Sequence, residues 1–193
     1  MSVLTRVFVN KSFWFLFFLG LNLAMGQMPV DLPYLAYCSL VALGFFWIKY
    51  QPMSFEAFVW GLGLGIGYFG LTFLWIVEPF LVESEKTGWL APLALLSLVT
   101  ILSLILSICF YLASRLGSGR NKNQRLILLF LFFLLSELIR SELLLDFPWG
   151  LISSMWINTP FAQSLAIFGP YWLSGFTLLS AFLFSRLWLG SVL

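Results

Sequence analysis

The 193 residues are 61% hydrophobic and 9% charged, with a formal net charge of +2 and no histidine. Apolar runs close to the roughly 20 residues that cross a bilayer core recur along the chain, which is the composition of an integral membrane protein. A His-based triad and a basic nucleic-acid stripe are excluded, and so are a zinc centre and a disulfide framework, because the two cysteines, Cys38 and Cys109, lie inside apolar runs.

The first predicted helix covers residues 12–28, behind Arg6 and Lys11. A basic start, an apolar run and the small-residue stretch Ala24-Met25-Gly26 are also the parts of a secretory signal. A second apolar run, 32–48, follows almost at once after the turn-like GQMPVDLP, so the pair reads better as a helical hairpin. The third helix is expected over 55–77, ending at Glu78-Pro79, and the fourth over 89–113. The polar loop SRLGSGRNKNQR then leads to a fifth helix over 126–145, and a sixth spans 171–187. Residues 150–170 are only moderately apolar and carry Asn158 and Gln163. They read as an interfacial segment in which Pro160 opens a short helix that Gly169 stops and Pro170 restarts. The expectation is an all-α integral membrane protein, a single polytopic domain over 1–193 built as a bundle of about six transmembrane helices.

Lysine and arginine in short loops are retained on the cytoplasmic side of a membrane. Six crossings place Arg6, Lys11, Lys49, Arg115, Arg120, Lys122, Arg125 and Arg186 on one side, eight of the ten basic residues. Asp31, Glu78, Glu83, Glu85, Glu142 and Asp146 fall on the other. Both termini are therefore expected to be cytoplasmic. Trp14, Trp47, Trp60 and Trp188 then sit near the inner interface, and Trp75, Trp89, Trp149, Trp156 and Trp172 near the outer one.

The third helix contains GLGLGIGYFG, in which Gly65, Gly67 and Gly70 formally match a dinucleotide fingerprint. That motif needs a strand before it and a soluble helix after it, so the match carries no cofactor, and none is expected. Gly61 with Gly65, and Gly63 with Gly67, instead remove side chains at four-residue spacing and let another backbone approach closely. Gly61, Gly63, Gly65, Gly67 and Gly70 are therefore read as helix-packing positions; self-dimerisation, or a groove for a lipid chain, is the other use of such a stripe.

The stretch SELIRSELLLDFPWG, residues 136–150, places charge at the end of the fifth helix. Glu137 and Arg140 are three residues apart, share a helix face and can pair, which lowers the cost of holding either in hydrocarbon. Two readings stand: a structural ion pair fastening the helix to its neighbours, or a site that receives a polar headgroup. Pro148 ends the helix, so Phe147, Pro148, Trp149 and Gly150 form a corner whose aromatic pair is expected to face headgroups. A generic interfacial anchor also explains Trp149.

Three stretches taken in order, GLGLGIGYFGLTFLWI (61–76), SELIRSELLLDFPWG (136–150) and NTPFAQSLAIFGPYWLSGF (158–176), carry a family likeness. Over about residues 12–190 the chain resembles the membrane region of bacterial apolipoprotein N-acyltransferases, multi-pass enzymes of the cytoplasmic (inner) membrane. The resemblance implies that an acyl chain leaves a phospholipid, forms a thioester on an enzyme cysteine and passes to the N-terminal amine of a lipoprotein. It implies that Trp149 stands at the mouth of a lipid groove braced by Glu137 and Arg140. The partners it implies are the phospholipid bilayer and a lipoprotein substrate, and it assigns the Glu, Lys and Cys of the chemistry, a set these residues lack, to a nitrilase-like outer domain. The chain is then expected to be either a truncated product or one part of a split enzyme whose partner is a separate nitrilase-like chain. Neither Cys38 nor Cys109 can stand in, since each is expected within the bilayer without a base beside it. No catalytic residue and no metal ligand is assigned, and the chain by itself is expected to be inactive. The alternative is a non-enzymatic bundle that binds lipid or a partner. A small transporter would need polar residues near mid-membrane or inverted repeats, and besides Asn22, Thr72 and the serines of the fourth helix few are present.

Overall fold

The computed structural model describes residues 3–144 and 147–192, with side chains over 11–142 and 147–188. Within them the chain is all-α and contains no strand. Its long helices are α1 (Val3–Ala24), α2 (Pro33–Tyr50), α3 (Ser54–Thr72), α4 (Leu90–Gly117), α5 (Lys122–Leu138) and α6 (Pro170–Val192).

Local chemistry sets the helix ends. Pro33 occupies the first turn of α2, where its missing N–H is not needed, and Gln51 closes that helix in the left-handed region at φ 46°. The N-terminus of α5 is a reciprocal cap: Gln124 N–H donates to Asn121 Oδ1 at 2.9 Å, and Asn121 N–H donates back to Gln124 Oε1 at 3.3 Å. This cap starts α5 at Lys122, earlier than the apolar run alone indicates. Gly169, at φ 80°, separates the short turn Leu165–Phe168 from α6, whose first residue is Pro170.

Several helix ends differ from the sequence expectation: α1 stops at Ala24 and not at 28, while α4 and α6 run on to Gly117 and Val192. Two helices also change their winding as they end. α3 stops at Thr72, and Leu74–Val77 tighten into a 3₁₀ turn. Beyond Leu138, α5 widens into a π-helical segment, Ile139–Leu144. The Ser141 hydroxyl donates to the Glu137 carbonyl at 2.6 Å there, drawing on an acceptor of the α-helical ladder. Asp146 lies outside the described residues. Over 150–170 there are 3₁₀ turns at Ile152–Trp156 and Pro160–Ser164, and the single α turn at Leu165–Phe168.

The helices contact one another in a closed ring, α1 to α3, α4, α5, α6, α2 and back to α1, with α2 also touching α5. Trp47, Phe110, Leu40, Leu102, Leu129 and Phe182 fill the interior. Two helices, Ser54–Thr72 and Leu90–Gly117, are long and apolar enough to cross a membrane, with mean hydropathies of 1.2 and 2.7. At 28 residues, α4 is roughly 42 Å long, more than the hydrocarbon thickness. Consecutive helices run in opposite directions, so Lys11, Lys49, Arg115 and Arg186 collect at one end, and the turns after α1, α3 and α5 collect at the other.

The glycine stripe divides into two faces. A Cβ on Gly61 would lie 2.6 Å from Ser107 Cα, and one on Gly65 would lie 2.8 Å from Ser103 Cα, both in α4. On the opposite side, a Cβ on Gly63 or Gly67 would lie 2.6 or 2.2 Å from the Phe13 or Phe17 carbonyl oxygen of α1. The helix is thus held backbone to backbone on both flanks, the close approach that small residues permit. Gly70 stands apart, since a Cβ there would meet nothing within 4 Å.

This difference yields a prediction. Gly67→Ala should cost about 1–3 kcal/mol through overpacking against Phe17, whereas Gly70→Ala should be neutral or gain up to about 1 kcal/mol from helix propensity. Thermal unfolding of the two variants in detergent micelles measures the contrast, and equal melting temperatures would contradict the double-sided packing.

Candidate functional site

The charged end of α5 meets the Phe147–Gly150 corner inside the bundle. Glu137 and Arg140 are 3% and 2% exposed, so both belong to the interior. Their closest approach, Arg140 Nη2 to Glu137 Oε1, is 3.8 Å. The pair attracts at that distance without a direct hydrogen bond, and each group finds its close partners in backbone. Arg140 Nη1 donates to the Trp149 carbonyl and, at 3.4 Å, to that of Phe147, while Nη2 donates to the Gly150 carbonyl at 3.1 Å. Its guanidinium also lies over the Phe69 ring, 5.4 Å from the centroid. Glu137 Oε1 accepts from Ile152 N–H at 2.7 Å, whereas Oε2 is buried without a hydrogen-bond partner.

The two charges therefore staple opposite sides of one turn: the cation holds carbonyls before it, and the anion holds an N–H after it. Such a corner cannot satisfy its own backbone groups, and in a bundle interior there is little water to do so. Gly150 is required twice over. It sits at φ 65°, and a Cβ there would lie 2.9 Å from Phe73 Cζ.

A second set of polar groups braces the corner from the turn after α1 and from α3. Tyr68 Oη donates to the Gly150 carbonyl at 3.0 Å. Gln27 Nε2 donates to Tyr68 Oη at 2.9 Å and to the Leu151 carbonyl at 3.2 Å, and Ser154 Oγ donates to Gln27 Oε1 at 2.7 Å. From α6, Ser174 Oγ accepts from Ser153 N–H at 3.0 Å, and Thr177 Oγ1 accepts from Trp156 Nε1 at 2.8 Å. Tyr171 donates to Ser141 at 2.8 Å and contacts Glu142, tying α6 to the π-helical segment. Gln27 and Tyr68 are absent from the sequence reading, the first because it lies in a turn and the second because the surrounding glycines dominate its helix. A lone amide and a lone phenol amid apolar neighbours were the available signal.

Phe147 and Trp149 part company. Phe147 turns inward, half-buried, with its ring 5.3 Å from that of Phe73, which corrects the expectation that both aromatics face headgroups. The reason is local: Arg140 draws the Phe147 carbonyl inward, and α3 offers an aromatic surface there. Trp149 is 55% exposed, with its ring 5.3 Å from that of Phe147. Beside it and Pro148 opens a groove of about 660 Å³ whose walls include Gln27, Thr72, Trp75, Ser153 and Leu165. The groove is largely apolar with a few polar groups, which suits a lipid better than a hydrophilic solute. Cys109 is buried in α4 and Cys38 is exposed on α2, neither lining the groove. Among the described residues no cluster of His, Cys, Asp or Glu could hold a metal ion. The arrangement can position and bind, and among the described residues no thiol lines it.

The family model of the apolipoprotein N-acyltransferase N-terminal domain matches residues 19–183. The chain is 34% identical over 117 residues to an apolipoprotein N-acyltransferase of Caulobacter vibrioides, a match covering 59% of this chain and 21% of that protein. It is 33% identical over 127 residues to one from Rhodopseudomonas palustris, covering 65% and 23% respectively. With one from Brucella melitensis it shares 35% identity over 130 residues, again covering 65% and 23%. The matched part of this chain thus corresponds to less than a quarter of each relative.

The stapled corner predicts an asymmetry between its two charges. Arg140→Gln removes donors from three carbonyls and leaves Glu137 buried without its cation, so it should destabilise the fold by about 3–5 kcal/mol. Glu137→Gln also strands a buried charge, but it keeps an oxygen for Ile152 and leaves the Arg140 donors on their carbonyls, so it should cost less, at most about 3 kcal/mol. Denaturation in mixed detergent micelles compares them, and equal losses would mean that the ion pair, rather than the carbonyl staple, dominates.

Proposed function

Because the chain belongs to the N-terminal domain family of apolipoprotein N-acyltransferases, we propose that residues 1–193 form the membrane-embedded, lipid-presenting part of such an enzyme. In this reading the bundle crosses the cytoplasmic membrane of a bacterium six times, with both termini in the cytoplasm. The distribution of lysine and arginine supports that orientation, since eight of ten lie at one end of the bundle. The stapled corner and the groove beside Trp149 then open toward the outer leaflet, where the donor phospholipid and the lipoprotein amine meet.

The observation that carries the reading is the pairing of a rigid corner with a groove of about 660 Å³. Trp149 is amphipathic and exposed, as suits a residue that meets a glycerol backbone at an interface. Its backbone is fixed by Arg140 and Glu137, so the ring is presented at a constant depth; those two charges act on the lipid only through the corner they hold. Acyl transfer itself requires a thiol with a base beside it, and neither Cys38 nor Cys109 has one. The thiol chemistry falls to a nitrilase-like unit, either supplied by a separate chain or continuous with this one, and residues 1–193 do not catalyse the transfer without it. A second reading, a non-enzymatic bundle that binds lipid or a partner, draws support from the fact that every hydrogen bond Arg140 donates goes to the chain's own backbone.

Two measurements test the proposal. In a background lacking Cys38 and Cys109, Glu83→Cys should react with a membrane-impermeant maleimide on intact spheroplasts, and Arg120→Cys should react only after lysis; the reverse pattern would invert the orientation. With a nitrilase-like outer domain supplied, mass spectrometry should detect N-acylation of a diacylglyceryl lipopeptide, and Trp149→Ala should slow it about tenfold or more, the equivalent of about 1.4 kcal/mol. No transfer by a folded, paired complex would favour the non-enzymatic bundle.

A further inference from the structure

At the basic end of the bundle, Trp47 and Trp60 meet edge to face with ring centroids 6.1 Å apart. The Trp47 indole N–H donates to the Arg125 carbonyl at 3.2 Å, but Trp60, 3% exposed, has no acceptor for its Nε1. A buried donor left unpaired costs about 1–3 kcal/mol, so an acceptor from outside the chain is favoured there. Trp60 lines an open crevice of about 180 Å³ between α1, α2 and α3, shared with Lys11, Ser12, Phe15, Phe46 and Tyr50. Lys49, between the wall residues Phe46 and Tyr50 in sequence, holds its ammonium 5.6 and 5.5 Å from the centroids of the Phe45 and Tyr50 rings.

Among the described residues the ion pairs are Lys86 with Glu83 and Arg140 with Glu137, so neither Lys11 nor Lys49 has a carboxylate partner. Glu56, one helical turn before Trp60, accepts from Met53 N–H at 3.0 Å at the start of α3. The crevice thus combines positive charge, a buried unpaired N–H and aromatic walls at the end of the bundle where lysine and arginine collect.

We propose that this crevice binds the headgroup of an anionic phospholipid. Lys11 supplies the charge, Trp60 Nε1 and the Ser12 hydroxyl donate to phosphate or ester oxygens, and Phe15 and Phe46 lie along the first methylenes of the acyl chains. A lipid fits better than a soluble anion because a free phosphate gains nothing from the phenyl walls. An anionic lipid fits better than a zwitterionic one because a choline or ethanolamine would meet Lys11, which has no carboxylate partner among the described residues, with Lys49 adding positive charge nearby. The site lies at the opposite end of the bundle from the stapled corner and stands apart from any role of the groove there.

The test uses the whole chain in nanodiscs of phosphatidylcholine with or without phosphatidylglycerol, counting lipids retained after detergent washing by native mass spectrometry. Phosphatidylglycerol should be retained in preference to phosphatidylcholine. Lys11→Gln and Trp60→Phe should each weaken that retention about tenfold, equivalent to about 1.4 kcal/mol, while Lys86→Gln, at the other end, should leave it unchanged. Equal retention of the two lipids, or undiminished retention by a folded Lys11→Gln variant, overturns the proposal. Lys11 is exposed, so that variant decides the matter even if Trp60→Phe fails to fold. Stabilisation by inorganic phosphate as large as that by phosphatidylglycerol would assign the crevice to a free anion and overturn the lipid.

Discussion

Arg140 does for this bundle what a strand partner or a water shell does for a soluble turn: it supplies donors to carbonyls that have nowhere else to turn. A chain that stops a helix inside a largely apolar assembly must satisfy the freed backbone groups, and each one left bare costs several kcal/mol in hydrocarbon. A guanidinium is suited to the task because its donors form a rigid planar fork that reaches more than one acceptor. The Trp149 and Gly150 carbonyls are gathered by two nitrogens of one side chain. Glu137 completes the arrangement by taking the Ile152 N–H, and its charge keeps the cation tolerable in the interior.

The rest of the architecture at this end of the bundle follows from that anchorage. With the corner fixed, the 3₁₀ turn Ile152–Trp156 lies across the bundle end, where Gln27 from the loop after α1 and Ser174 from α6 can both reach it. Four separate parts of the chain thereby converge on one short segment. The groove beside Trp149 is a by-product of this convergence, because the segment spans the mouth of the helix ring without filling it. The lipid-presenting role proposed for it rests on rigidity more than on any individual contact.

Much of this was legible in the sequence, for identifiable reasons. The all-α character follows from apolar runs that have no strand alternation, and Glu137 and Arg140 announce themselves because charge in such a run needs a partner. The glycine spacing indicates close packing, but not that alternate pairs serve α4 and α1, since four-residue spacing fixes a face and not the neighbour upon it. The inward turn of Phe147 was not legible, because it depends on Phe73, distant in sequence and at the end of another helix. Gln27 and Tyr68 escaped for a related reason: polar residues near helix ends are ordinary, and only the fold brings these two to the same carbonyl region. The π-helical segment has no signal of its own in the residues Ile139–Leu144.

The glycine contacts on both flanks of α3 also govern how the assembly can deform. A helix seated in its neighbours through paired notches cannot creep along them by small amounts, because any slight shift drives carbonyl oxygens into Cα atoms. The next comfortable seating is a full notch away, four residues or roughly 6 Å. The slab made of α1, α3 and α4 is therefore a fixed datum, and any breathing is left to the other side of the ring, where Gly44 of α2 meets the side chains of Phe182 and Ser185 of α6, which can turn aside as a backbone cannot.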